Sequence, residues 1–297
     1  MLIVIGSINL DLIATVDRLP APGETVPGSA FTTAPGGKGA NQALAAVRAG
    51  AQVRMIGAVG KDAFADDALA LLQRDGVDLT GVHATHASTG TALILVGDDG
   101  ENMIAVVAGA NAAVLPGDVA KARLAPGEVL LLQHEIPLET VKAALSAARD
   151  ADALSVLNTA PFLREAADRL AEADIGVANE TEFDLYADAL GLDGADREAR
   201  MRGFVARTGR IIVVTIGGAG VLAATPDAFL RLPALPIEPV DTVGAGDTFC
   251  GYLGAGLAEG LDLEAALRRA VVAGALACLK AGAQPSIPTA ADVAARL

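Results

Sequence analysis

Pro239-Val240-Asp241-Thr242-Val243-Gly244-Ala245-Gly246-Asp247-Thr248-Phe249 is the stretch on which the reading of this chain turns. It completes an apolar segment, Leu235 to Val240, that reads as a strand. A long pattern rich in Ala, Leu and Gly follows and reads as a helix. A chain that turns on glycines into a helix N-terminus makes an anion site. The first amides of the helix have no internal partner, and the helix dipole adds partial positive charge. Gly244 and Gly246 lack the Cβ atoms that would keep a phosphate from the backbone. Asp247 stands at the mouth of that site, where a carboxylate can take a proton from a hydroxyl attacking a phosphoryl group. Asp also serves as a plain helix cap, and these residues alone leave both readings open.

The rest of the sequence bounds what such a site can serve. The 297 residues suffice for one large α/β domain, or for one domain with an appendage. Apolar residues make up 52%, which marks a folded protein and not a disordered one. The net charge of −14, without any dense Lys/Arg cluster, argues against nucleic acid or an anionic membrane as the main partner. Met1 to Ile5 lacks the cationic head of a signal peptide. The longest apolar run, Ala270 to Leu279, is bounded by Arg269 and Lys280 and falls short of the roughly 20 residues of a membrane span. Cys250 and Cys278 lie on helical patterns without metal-ligand spacing, so reduced core thiols and a cytoplasmic location are expected.

Leu2 to Ile5 is a short apolar run fit for a buried strand. Beyond it, Asn9 and Asp11 are two apart and share a face on an extended chain. Ligands of open α/β sheets bind at such strand ends, and an Asn/Asp pair suits sugar hydroxyls; it also suits a simple turn. Pro35-Gly36-Gly37-Lys38-Gly39-Ala40-Asn41-Gln42 opens a second glycine-led helical pattern, Ala43 to Ala49. It is not a phosphate-binding P-loop, because Gly39 follows Lys38 where that motif needs Ser or Thr. Gly37 lets backbone approach a small polar ligand, and Asn41 on the first turn points back at it.

Val53 to Val59 reads as a strand and Asp62 to Arg74 as an amphipathic helix, which begins a parallel sheet with crossover helices. The period then changes. Thr91–Val96 and Asn102–Val107 flank Gly97-Asp98-Asp99-Gly100-Glu101 as a hairpin. A hairpin inside an α/β chain packs outside the parallel sheet. With the Pro-, Gly- and Thr-rich segment Asp17 to Ala34 it forms a small antiparallel lid, made of about residues 14–34 and 82–107. His83 and His86 are expected as exposed residues of the loop before it. From Glu128 the alternation resumes, with strands Val129–Leu132, Leu154–Leu157, Ile175–Ala178 and Ile211–Thr215. Helices are expected over Leu138–Arg149, Phe162–Glu172, Glu180–Leu190 and Arg197–Thr208. Polar residues recur at the strand ends: Gln133-His134-Glu135, Asn158, Asn179 to Glu182, and Thr215. They belong on one sheet edge with Asn9 and Asp247.

Taken together, GGKGAN (Gly36–Asn41), N-x-x-E (Asn179–Glu182) and DTVGAGDTF (Asp241–Phe249) resemble, in order and spacing, the motifs of the ribokinase (PfkB-type) carbohydrate kinases. The resemblance covers nearly the whole chain. It implies a single ribokinase-like α/β domain, with a central, mostly parallel sheet flanked by helices on both faces and a small antiparallel β lid. It implies ATP-dependent phosphorylation of a sugar, D-ribose at its 5-hydroxyl. Asp247 is then the base, and the amides of Gly244, Ala245, Gly246 and Asp247 form the anion hole.

The same resemblance assigns further residues. The sugar would be held by Asn9, Asp11, Gly37, Lys38, Asn41 and Glu135. The nucleotide would lie against Asn179, Thr215, Gly217, Gly218, Gly220, Gly246 and Asp247. Glu182 would organise the hydration shell of Mg2+. A potassium ion would take side-chain oxygens of Asp241 and Ser286 and carbonyls of Val243, Ala277, Lys280 and Gly282. With no Trp and 3% aromatics, adenine must rest on aliphatic surfaces and backbone groups. Homodimerisation through the lid is expected as well. Thr159 stands where the family usually has Pro, and His134 where an apolar residue is commoner; His134 reads as neutral packing. Two rivals stay open: a kinase of another sugar or a nucleoside, and a sugar-binding protein without catalysis. The intact Asp247 and its glycines argue against the second.

Overall fold

In the computed structural model, which describes residues 1–297, the short apolar runs form one nine-stranded sheet. Its strands are β1 (Leu2–Ile5), β4 (Val53–Gly60), β5 (Asp78–Thr85), β8 (Val129–Leu132), β9 (Leu154–Asn158), β10 (Ile175–Asn179), β11 (Ile211–Thr215), β12 (Val221–Ala224) and β13 (Phe229–Leu232). The order is β13-β12-β11-β10-β9-β8-β1-β4-β5, parallel except for β12 and β13 at one edge. The alternation of side chains splits the core. Leu2 and Val4 face a core shared with α1 (Lys38–Arg48), α2 (Ala63–Arg74), α7 (Ala245–Ala258) and α8 (Leu263–Ala277). Ile3 and Ile5 face a core shared with α3 (Leu138–Asp150). Behind the far strands, α4 (Ala167–Leu170), α5 (Glu180–Ala189) and α6 (Arg197–Thr208) close a third. Full burial of each such aliphatic side chain contributes about 1.5–3 kcal/mol. Short helices α9 (Ala283–Ser286) and α10 (Ala290–Ala294) end the described chain. No helix is long and apolar enough to cross a membrane.

A second sheet of four strands has the order β3-β2-β6-β7, with β2 (Asn9–Val16), β3 (Gly28–Gly36), β6 (Gly90–Gly97) and β7 (Asn102–Val107). Its two hairpins, β2–β3 and β6–β7, are antiparallel, as expected. They are joined through β2 and β6, which run parallel from Asn9↔Gly90 to Val16↔Gly97.

Four expectations need correction. Residues 82–85 lie in β5 of the large sheet, so the second segment of the small sheet begins at Gly90, and His83 is a strand residue paired with Ala58. Its Nδ1 lies 3.7 Å from Asp118 Oδ1. The segment Leu235 to Val240 is not a strand. Pro233, Pro236 and Pro239 recur along it, and proline cannot donate to a ladder. The helix expected over Phe162–Glu172 shrinks to a 3-10 turn at Arg164–Ala166 followed by α4. The Phe162 ring packs on Tyr186, and the Leu163 amide is taken by the Tyr186 hydroxyl at 3.0 Å, which draws the chain inward before a helix can start. Finally, β5, β12 and β13 lacked a clear strand signal in the sequence.

Candidate active site

The loops at the C-terminal ends of β1, β8, β10 and β11 converge with the N-termini of α1, α5 and α7. Gly37 precedes α1 at φ +88°, and a Cβ there would lie 2.7 Å from the Asn9 nitrogen. A Cβ at Gly39 would lie 2.6 Å from the Gly6 carbonyl carbon. These glycines let the head of α1 seat directly on the β1–β2 backbone. Glu135, just beyond β8, accepts the Ser7 hydroxyl proton at 2.5 Å and the Lys38 amide at 3.1 Å. Asn9 is buried, and its Oδ1 accepts from Asn111 Nδ2 at 2.7 Å. Asp11 shares a strand with Asn9. Burial, and secondarily the nearby Glu135 carboxylate, push its carboxyl up to about 6.

At the head of α7, Asp247 is not the plain cap that the sequence left open. Its side chain caps no helix. Asn41 Nδ2 donates to Asp247 Oδ2 at 2.9 Å, and Gln42 Nε2 donates to Asp247 Oδ1 at 3.0 Å. The carboxylate is 7% exposed and therefore held, by the helix that opens the GGKGAN motif, at the edge of a cleft of about 220 Å3. Lys38, Asn158, Glu182 and Gly246 line the same cleft. Lys38 stays protonated: the Asp247 charge raises its pKa against the opposing effect of burial, with Glu135 and Glu182 adding to it.

Two glycines here do different work. Gly244 has φ +75°, and a Cβ on it would sit 2.8 Å from Ala283 Cα. A Cβ on Gly246 would meet nothing within 4 Å, so this residue leaves open space over the helix end. The Ala245 amide already bonds the Thr242 carbonyl at 3.3 Å. The amides of Gly244, Gly246 and Asp247 make no such bond. The free donors are thus these three, not the expected four.

Asn179 and Glu182 form a capping box at the head of α5, with Glu182 N to Asn179 Oδ1 at 2.8 Å and Asn179 N to Glu182 Oε2 at 3.0 Å. A second cleft, about 350 Å3, continues from the first and shares Thr215, Thr242 and Gly246 with it. Gly217, Gly218 and Gly220 form one rim; Ile237, Val271 and Phe249 contribute to its apolar wall. The lining is mainly aliphatic, with Phe249 added.

The loops behind α7 meet through Asp241. Its Oδ1 accepts from Val243 N at 2.9 Å and its Oδ2 from Gly282 N at 2.8 Å. Ser286, buried, donates to the Ala283 carbonyl at 2.9 Å, and Lys280 N approaches the Ala277 carbonyl at 3.5 Å. His134 is buried with Nδ1 3.1 Å from the Thr159 carbonyl, and burial lowers its pKa, so the ring is neutral. Three participants had gone unassigned: Ser7, Gln42 and Asn111. Gln42 sits directly after the GGKGAN motif, so adjacency was the only available signal for it.

Residues 1–290 match the pfkB family carbohydrate kinase, and the chain belongs to that family. It is an ATP-dependent sugar kinase. A ribokinase of Bacillus subtilis is 39% identical over 98% of this chain and 97% of its own. A deoxyribokinase of Salmonella typhi is 36% identical over 96% and 95%. The structure of Arabidopsis thaliana ribokinase complexed with ribose and ATP matches with a TM-score of 0.86 at 30% identity, covering 99% of this chain and 97% of that one.

Proposed function

We propose that the enzyme transfers the γ-phosphoryl group of ATP to the 5-hydroxyl of D-ribose, giving D-ribose 5-phosphate and ADP. The observation that carries this reading is the buried Asp247 carboxylate, held from α1 and flanked by unpaired amides at a glycine-led helix head. The hydroxyl oxygen forms a bond to the γ-phosphorus, the bond to the β-phosphate oxygen breaks, and the hydroxyl proton passes to Asp247. An alcohol is far less acidic than a carboxylic acid, so this proton moves late, and orientation matters at least as much as basicity. The amides of Gly244, Gly246 and Asp247 stabilise charge on the moving group. Lys38 adds positive charge in an otherwise acidic protein.

Asn9, Asp11, Gly37, Lys38, Asn41 and Glu135 bind the sugar. The buried Asn41 Oδ1 has no partner and suits a sugar hydroxyl. The nucleotide occupies the two joined clefts, against Asn179, Thr215, Gly217, Gly218 and Gly220. No group of three or more His, Cys, Asp or Glu stands ready to enclose a metal. That suits Mg2+, which keeps its waters and takes few protein ligands, with Glu182 ordering its shell. Mg2+, when bound, neutralises phosphate charge. The turns carrying Asp241, Val243, Ala277, Lys280, Gly282 and Ser286 suit a potassium ion, which prefers such oxygen donors and would rigidify the anion hole.

The small sheet serves as the lid, excluding water from the reaction. It also presents Phe31, Leu93 and Met103 at 67%, 48% and 50% exposure on one face, an apolar patch that supports a homodimer. The domain is single, and the free, buried thiols of Cys250 and Cys278 fit a cytoplasmic enzyme.

The Salmonella relative favours deoxyribose as the competing substrate. ADP release with ribose, deoxyribose, fructose and adenosine decides between them. Ribose giving the highest kcat/KM supports the proposal; another substrate leading reassigns the specificity, and no turnover with ribose overturns the ribose assignment.

A further inference from the structure

Behind the Asp247 carboxylate lie two fully buried glutamines. Gln42 Nε2 donates to Asp247 Oδ1 at 3.0 Å, and Gln133 Nε2 donates to Gln42 Oε1 at 2.7 Å. Gln133 Oε1 has no partner. Gly6 makes room for it, since a Cβ there would overlap that oxygen. An orphaned buried acceptor is costly and calls for an explanation.

We propose that Gln42 and Gln133 are positioning residues for phosphoryl transfer, a relay of side-chain amides whose direction follows the protonation of Asp247; this rests on Asp247 being the base. A carboxamide donates at one end and accepts at the other. While Gln133 Nε2 faces Gln42 Oε1, Gln42 has only its N–H to present to Asp247. That bond fixes Oδ1. Once the hydroxyl proton has moved to Asp247, the acid becomes a donor. Reversal of both amides then sets Gln42 Oε1 against the new O–H and Gln42 Nε2 against Gln133 Oε1, the atom left idle before transfer. The amides thus present a matching group to Asp247 in each protonation state, and the idle atom beside Gly6 changes from Gln133 Oε1 to Gln133 Nε2.

The charged and titratable groups facing Asp247 are Lys38 at the head of α1, Glu182 on α5 and Cys250 one turn along α7, with Glu135 beyond Lys38. The glutamines add no charge, so a charge placed at position 133 is readable. In Gln133→Glu, a protonated carboxyl still donates to Gln42 Oε1. An ionised one only accepts, draws Gln42 Nε2 to itself and turns Gln42 Oε1 onto Asp247. The ratio of variant to wild-type kcat is expected to fall at least about tenfold from pH 6 to pH 9, with the sugar KM changing less than about threefold. A second variant, Gln42→Met, is expected to lose about tenfold in kcat at unchanged KM.

A pH-independent kcat ratio for Gln133→Glu overturns the relay. If thermal melting shows that this variant does not fold, Gln42→Met decides, and full kcat there overturns it. Asp247→Asn is measured alongside. Retained turnover removes the base assignment itself, whereas an inactive Asp247→Asn with a flat Gln133→Glu ratio removes the relay alone.

Discussion

Asp247 and Asn41, 206 positions apart in the chain, are joined by a 2.9 Å hydrogen bond that fastens the heads of α7 and α1 together. The two helices pack closely enough that a Cβ on Gly251 would lie 2.5 Å from the Gln42 carbonyl oxygen. The proposed base, oriented from α1, and the proposed anion hole at the head of α7 therefore stay in register.

Asp247→Asn keeps the shape of the side chain but removes its proton affinity. kcat is expected to drop about 10²- to 10⁴-fold, the usual worth of a general base, with the ribose KM within about threefold. Steady-state ADP release measures both.

The two glycines of the anion turn separate by substitution. Gly246→Ala meets open space, so stability is expected to hold or rise by up to about 1 kcal/mol in a helical position. Its methyl enters the volume assigned to phosphate, so the ATP KM is expected to rise at least about tenfold, roughly the 1–3 kcal/mol of misplaced packing. Gly244→Ala combines φ +75° with a clash on Ala283 and is expected to cost about 1–3 kcal/mol in denaturant unfolding.

Asp11 gives a pH dependence of definite sign. Its carboxyl titrates near 6 in the folded chain against a reference of 3.8. Its stabilising contribution is thus complete below about pH 4 and is lost as pH rises through 6. Asp11→Asn is expected to raise Tm at pH 8, leave it nearly unchanged at pH 4, and weaken ribose binding. In the wild type, the ribose KM should climb as pH falls below 6 and the acceptor oxygens are protonated. Thermal melts and KM at several pH values test both halves.

Asp241 ties the turn before α7 to the loop after α8 through two amides. Asp241→Ala is expected to lower kcat at least about tenfold, since small displacements of catalytic donors cost that much. It should also abolish the difference between assays in potassium and in sodium. An unchanged potassium response would remove the proposed cation from this loop.

The strands and helices that the sequence revealed best were those with a single strong signal. Val129–Leu132 and Ile211–Thr215 are uninterrupted apolar runs, and both match the observed strands residue for residue. Arg197–Thr208 also matches, bounded by its Asp196 cap and by Gly209 in the left-handed region. Leu235–Val240 misled because its apolar residues suggested a buried strand, whereas none of them is buried and the prolines forbid pairing. β5 was hidden because most of its residues are only half-buried, which blurs the alternation. At the site, the motifs pointed to Asn41 and Asp247, and the resemblance pointed to Glu135. They did not show that Gln42 and Ser7 complete the hydrogen bonding, because bonds between residues far apart depend on the packing of α1 against α7 and β8.

β1 lies between β8 and β4, with Leu2↔Val129 and Leu2↔Val53 in register. During synthesis it leaves the ribosome before either neighbour exists. One edge of this wholly apolar strand can pair once β4 has emerged, but the other must stay open until β8, more than a hundred residues further on, has been made. An open apolar strand edge of that kind is what chaperones and aggregation act on.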